Sequence, residues 1–280
     1  MKIGVIGSGT MGNGIAHAFA SSGYKVLLHD INQEFLEKGM STIKKNLNRF
    51  FDKQKITKED IDLTLNNIST TTSLDDMKDR ELIIEAATEN FDIKSLIFTQ
   101  LDKITSDECI LASNTSSISI NKIADSTNRA SKVIGMHFMN PVPIMKLVEI
   151  IKTNQTSEKT VKTVRNISIS LDKQPVECLD SPGFISNRVL MPMINEAIYA
   201  LMEGVATKES IDEIMKLGMS HPMGPLRLAD LIGLDVCLSI MNVLKDGFNG
   251  NSKYNPCPLL VELCKENKLG RKTGEGFYKY

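Results

Sequence analysis

The chain has 280 residues, 41% of them hydrophobic and 24% charged, and a formal net charge of −1. That length suits two domains of moderate size with a sizeable buried core. The near-zero charge excludes a global field that would draw nucleic acid or an anionic membrane, and no apolar stretch approaches the ~18 residues needed to span a bilayer.

The chain opens on a predicted strand, Lys2–Ile6, with no apolar leader segment before it. Gly7-Ser8-Gly9-Thr10-Met11-Gly12 follows, and GIAHAFASSG then reads as a helix. In this strand–loop–helix setting each glycine has a reason. Gly7 allows the tight turn, Gly9 lets a pyrophosphate approach the backbone, and Gly12 permits close helix–strand packing. The free N–H groups at the helix start, with Thr10 and Met11 in its first turn, favour a bound anion. A second strand, Lys25–His29, delivers Asp30. A carboxylate there can accept hydrogen bonds from an adenosine ribose and repels a 2′-phosphate, so NAD is expected, with NADP a lesser possibility.

From Asn32 to about residue 65 there is no strand signal, only two helical patterns, read as a helical hairpin inserted into the sheet domain. Phe35, Met40, Ile43, Leu47 and Phe50 form the apolar stripe of its first helix. Thr57 and Asp60 read as a capping start for the second. Lys44, Lys45, Arg49 and Lys53 make its polar face basic. Strands Glu81–Ala86, Cys109–Ser113, Val133–His137, Met145–Ile151 and Pro175–Cys178 follow, separated by helical patterns, which is the rhythm of a mostly parallel sheet. Ser113-Asn114-Thr115-Ser116-Ser117 stands at a strand's carboxyl end, where ligands bind in open α/β sheets. His137 ends the next strand, ahead of Phe138, Met139, Asn140 and Pro141. Glu149 interrupts the apolar run Met145–Ile151, and a buried carboxylate demands a partner that the imidazole can supply.

At Ser181-Pro182-Gly183 the pattern becomes helical throughout, with Ser181 and Pro182 suited to start a helix. Segments Phe184–Glu203, Thr207–Leu217, Leu226–Phe248 and Pro258–Glu266 follow, and Pro192 is expected to kink or shorten the first. The expected architecture is therefore α/β: a Rossmann-type domain over 1–182 carrying the hairpin at about 32–65, then an all-α domain over 183–280. The five cysteines, Cys109, Cys178, Cys237, Cys257 and Cys264, are odd in number and lack CxxC spacing. A reducing cytoplasm without disulfides or a metal site is the simpler reading. His17, His29 and His221 read as packed, cleft-edge and structural histidines, and methionines such as Met191, Met193 and Met202 as core filler.

SNTSS, GMHFMNP, MKLVEII, SPGFISNRVLMPMINEA, HPMGPLRLADLIGLD and GRKTGEGFY closely resemble the 3-hydroxyacyl-CoA dehydrogenases, above all their bacterial 3-hydroxybutyryl-CoA branch, over essentially the whole chain. The resemblance implies an oxidoreductase that interconverts (S)-3-hydroxybutyryl-CoA, or a similar short 3-hydroxyacyl-CoA, and acetoacetyl-CoA, as in butanoate and fatty-acid metabolism. It implies His137 as general acid/base, Glu149 as its orienting partner, and Ser116 and Asn187 on the reacting part of the substrate. Around the nicotinamide it implies Glu89, Lys94, Asn114, Ser116, Asn140 and Lys272. The hairpin resembles a CoA-binding insertion, for which Arg49 and Lys53 are candidates, and the all-α domain resembles a dimerisation domain, implying a homodimer. Met139 stands where relatives carry a second Phe. Arg227 stands where many carry an acid, which implies a lost or rewired ion pair. The competing readings are a Rossmann enzyme using a catalytic Lys or Cys, a hydratase, and a catalytically idle NAD-binding or crystallin-like relative. The first would lack the His137/Glu149 pair, the second needs another domain, and the third would be expected to lose one of His137, Glu149, Ser116 and Asn187.

Overall fold

The apolar run KIGVI is buried along almost its whole length, as a strand covered on both faces must be. It forms β1 (Lys2–Ile6), and in the computed structural model, which describes Met1–Tyr280, it lies inside an eight-stranded sheet. Its companions are β2 (Lys25–His29), β3 (Ile68–Thr71), β4 (Leu82–Glu85), β5 (Ile110–Ser113), β6 (Val133–Phe138), β7 (Leu147–Lys152) and β8 (Gln174–Leu179). Their order is β3-β2-β1-β4-β5-β6-β7-β8. Every neighbouring pair is parallel except β6 with β7, which is antiparallel. The strand order reverses between β1 and β4, the topological switch point at which such sheets open a crevice.

The helices of this unit are α1 (Thr10–Ser21), α2 (Gln33–Asp52), α3 (Lys58–Asn66), α4 (Phe91–Ile104), α5 (Ile120–Ala124) and α6 (Glu158–Ser170). The expected hairpin is α2 and α3. Asn32 caps α2, accepting from the Glu34 N–H, and Thr57 and Asp60 close a reciprocal capping box at α3. Of the expected stripe of α2, Ile43 and Leu47 are buried and Met40 packs against the core, with Leu36 and Gly39 buried beside them, whereas Phe35 is exposed. β3 carries no apolar alternation, because ISTT is a polar edge strand held by its ladder to β2.

The chain divides after Asp180 into a second, helical unit, Ser181–Tyr280. It contains α7 (Ser186–Met202), α8 (Lys208–Gly218), α9 (Pro225–Ile232), α10 (Leu234–Gly247) and α11 (Pro258–Lys265) around their own core. Three expectations change here. Ser181 and Pro182 do not start a helix, because Gly183 and Phe184 both take positive φ and helix α7 begins only at Ser186. Pro192 lies inside α7 without ending it. The segment 226–248 is two helices, broken where Gly233 takes φ +106°.

Arg227 has a partner after all. Its guanidinium sits 4.0 Å from the centre of the Tyr278 ring, a cation–π contact. Asp212 accepts from the Leu226 and Arg227 N–H groups and from the Tyr278 hydroxyl. Asp230 accepts from the Phe277 and Tyr278 N–H groups, so two buried acids pin the C-terminal tail.

Candidate active site

The glycine loop forms as its residue spacing requires. Gly7 has φ +91°, and a Cβ there would lie 2.7 Å from the Ala86 carbonyl oxygen. A Cβ on Gly12 would lie 1.7 Å from the Gly7 carbonyl oxygen, so α1 can pack this closely only without one. Gly9, by contrast, faces open space. It is the N-cap of α1 but offers no side-chain cap, and the first turn has no acid, so those N–H groups are left for an external anion.

A cleft of about 810 Å³ opens over this loop, a size suited to a cofactor. Gly7, Ser8, Gly9 and Thr10 line its floor, and Asp30, Asn140 and Pro141 stand in its walls. One Asp30 oxygen accepts from both the N–H and the hydroxyl of Ser8, at 2.7 Å each, and the other from the Ile31 N–H. The oxygen that accepts only from Ile31 keeps accepting capacity for a ribose hydroxyl. Glycine cradle, uncapped helix and acid together fit an adenine dinucleotide. Met11 is partly buried against the core and Gly12 against the loop, so neither lines the cleft.

The face of α2 that lines the cleft carries Lys38, Thr42 and Asn46. Sequence reasoning passed over these, although their i, i+4, i+8 spacing puts them on one side of a helix. Arg49 and Lys53 are exposed and lie outside the cleft lining, as do Lys44 and Lys45. None of the four makes an ion pair with a carboxylate.

At the carboxyl end of β6 the antiparallel register sets His137 directly opposite Glu149. Directly opposed residues share a face, and the His137 Nδ1 to Glu149 Oε2 distance is 2.7 Å. Both side chains are buried, at 9% and 4% exposure. An acid this deep is costly alone, and the imidazole is the partner that satisfies it. The contact holds the ring in place through Nδ1. Asn114 ties this strand end to its neighbour, since its Oδ1 accepts from the Phe138 N–H and its own N–H donates to the Glu85 carbonyl. Lys173, also buried, donates from Nζ to the Val142 and Met145 carbonyls and holds the loop after the cis Asn140–Pro141 bond.

The loop 113–117 is organised around Glu89. Its Oε1 accepts from the Thr115 hydroxyl at 2.6 Å, from the Ser116 N–H at 2.9 Å, and from the N–H and hydroxyl of Ser117. Burial alone would raise this carboxyl's pKa, but Lys94 and these donors hold it below the usual range. Lys94 reaches back from the first turn of α4 to Glu85 at 2.6 Å and to Glu89 at 3.4 Å. Glu85 was missed from sequence. It ends an apolar strand just as Glu149 interrupts one, and the same argument about buried charge points to it. In the helical unit, Asn187 lies buried in the first turn of α7, and Lys272 pairs with Asp235 at 2.6 Å.

A mostly parallel sheet with its cofactor cleft at the strand-order switch, and a histidine held by a buried acid at the carboxyl end of one of its strands, define a nicotinamide-dependent oxidoreductase of the Rossmann class. Comparison with known proteins narrows this. Residues 2–181 match the NAD-binding domain of 3-hydroxyacyl-CoA dehydrogenase, and residues 183–280 match the C-terminal domain of the same enzymes. The chain is 52% identical to a 3-hydroxybutyryl-CoA dehydrogenase of Clostridioides difficile, covering 100% of this chain and 99% of that protein. It is 50% identical to one from Bradyrhizobium diazoefficiens, covering 100% and 95%. The crystal structure of (S)-3-hydroxybutyryl-CoA dehydrogenase PaaH1 from Ralstonia eutropha superposes with a TM-score of 0.96 at 50% identity, covering 100% of this chain and 98% of that one. The chain belongs to the 3-hydroxyacyl-CoA dehydrogenase family.

Proposed function

We propose that this chain interconverts (S)-3-hydroxybutyryl-CoA and acetoacetyl-CoA, with NAD preferred over NADP. The observation that carries the reading is the buried His137–Glu149 pair in a fold whose glycine loop is built for a dinucleotide. In oxidation His137 takes the proton of the 3-hydroxyl through Nε2, and in reduction it returns that proton to the 3-oxo oxygen. Glu149 holds the tautomer with Nδ1–H and stabilises the imidazolium that forms. Ser116 donates a hydrogen bond to the C3 oxygen where charge develops. The nicotinamide, when bound, gives or accepts the hydride at C3.

Glu89, Lys94, Asn114 and Asn140 surround the nicotinamide in this reading, and Gly7, Gly9, Thr10 and Asp30 hold the rest of the dinucleotide. The exposed cations Lys44, Lys45, Arg49 and Lys53 receive the CoA phosphates. Val189, Val205, Ile214, Leu217, Met219 and Leu231 leave apolar surface exposed on the helical unit, which supports a homodimer. No helix is long and apolar enough to cross a membrane, and a cytoplasmic setting completes the proposal. The test is acetoacetyl-CoA-dependent oxidation of NADH, followed at C4 and then at longer acyl chains. Turnover highest at C4 is expected. No turnover at any chain length would overturn the proposal and favour an idle relative.

A further inference from the structure

Three charged side chains meet at the carboxyl ends of β4 and β5. Glu85 is fully buried, Lys94 is 1% exposed, and Glu89 stands at the surface of the cluster. Glu85 grips the Lys94 ammonium at 2.6 Å and also accepts from the Ser113 hydroxyl and the Ala87 N–H. Glu89 is farther from that ammonium, at 3.4 Å, and both carboxylates find Lys94 as their only cation. The cluster therefore holds two negative charges against one positive. Because Glu85 sits closer to the ammonium and farther from solvent, it neutralises Lys94, and the uncompensated charge falls on Glu89.

The place of this charge gives it meaning. The pyrophosphate cradle lies after β1, and Asp30 stands at the end of β2 to accept from the adenosine ribose. A dinucleotide laid across the switch point must extend the other way, over β4 and β5. There Ala86, Ala87 and Thr88 line the cleft, one residue short of Glu89. A nicotinamide ring carries a positive charge when oxidised and none when reduced, so a fixed negative charge beside it acts on one redox state and not the other.

We propose that the Glu85–Lys94–Glu89 cluster sets the relative affinity of this site for NAD⁺ and NADH, with Glu85 freeing the Glu89 charge by occupying Lys94. Glu85 acts without touching the cofactor. The inference rests on the NAD site described above and deepens it. A structural role for the cluster would change both affinities together, whereas a charge effect separates them.

The experiment measures Kd for NAD⁺ and for NADH by calorimetry, without acyl-CoA, in wild type and three variants, each beside a melting curve. Glu89→Gln removes the excess charge and leaves the buried pair intact, and it should weaken NAD⁺ relative to NADH by about three- to tenfold. Glu85→Gln lets Lys94 neutralise Glu89 and should move the ratio the same way. Glu85→Gln/Lys94→Met removes a cation and an anion together, keeps the lone Glu89 charge, and should restore the wild-type ratio. Equal weakening of NAD⁺ and NADH in Glu89→Gln would overturn the proposal, even if Glu85→Gln proved too unstable to measure. An unchanged ratio in a folded Glu85→Gln would overturn the part given to Glu85. Wild type that bound neither form would instead overturn the NAD site itself.

Discussion

Two groups of charges on the N-terminal unit are built in opposite ways. His137 and Glu149, like Glu85 and Lys94, are buried and already paired at hydrogen-bond distance. Lys44, Lys45, Arg49 and Lys53, on or just beyond α2, are exposed and make no ion pair. The difference is one of timing. A buried charge must be satisfied when the protein folds, so its geometry exists before any ligand arrives. Exposed cations remain hydrated and free until an anion displaces their water, so their effect belongs to binding and is screened by salt. Substitutions in the first group should therefore alter turnover or cofactor preference, and those in the second should alter only substrate affinity.

The largest expected effect is at the buried pair. His137→Gln should lower kcat by about 10²–10⁴, the range for a positioned acid/base. NADH affinity should survive, because the glycine loop and Asp30 are untouched. Steady-state kinetics with an NADH titration checks both, and near-normal turnover would make His137 a bystander.

A second buried histidine sharpens the contrast because its Nδ1 has no hydrogen-bond partner. His17 is 3% exposed, and burial, with the Lys173 charge second, lowers its pKa from 6.5 to about 4. The folded protein thus keeps this ring neutral where the unfolded chain would protonate it. Stability is unaffected above the unfolded value of 6.5 and falls as pH drops from there to about 4. The loss is on the order of 3 kcal/mol, and His17→Leu should remove most of it. Melting temperatures of both proteins between pH 7.5 and pH 4.5 test this, and parallel curves would contradict it.

For the exposed group, neutralising Lys44, Lys45, Arg49 and Lys53 together should raise KM for acyl-CoA roughly tenfold at low ionic strength, with kcat and NADH affinity unchanged. The effect should shrink in high salt. An unchanged KM in this quadruple variant would reduce the basic face to a solvated surface. The smallest effect is expected at Asp30, which is partly buried and contacts the glycine loop through Ser8. Asp30→Ala should narrow the preference for NADH over NADPH by a few-fold, measured as the ratio of kcat/KM values.

The same division explains what was legible in the sequence. The glycine loop, Asp30, and the His137 and Glu149 strand positions could be read because each departs from an otherwise apolar pattern. β3 could not, since a four-residue polar edge strand has no alternation and is defined by its neighbour. The break at Gly233 was hidden because apolar spacing continues through it, and only the positive φ ends the helix. Lys38, Thr42 and Asn46 were obscured by the basic residues beside them, which draw attention to charge where the cleft is shaped by helix face. Lys173 reads as an ordinary surface lysine until its two carbonyl acceptors are known.

The central claim is that His137 and Glu149 work as one unit. Its most direct test is kcat for His137→Gln, Glu149→Gln and the double variant, with wild type as reference. Residues that act together lose their shared contribution only once. The account predicts a substantial loss in each single variant and a double variant no more than a few-fold worse than His137→Gln. Losses that multiply, so that the double variant shows the product of the singles, would contradict it.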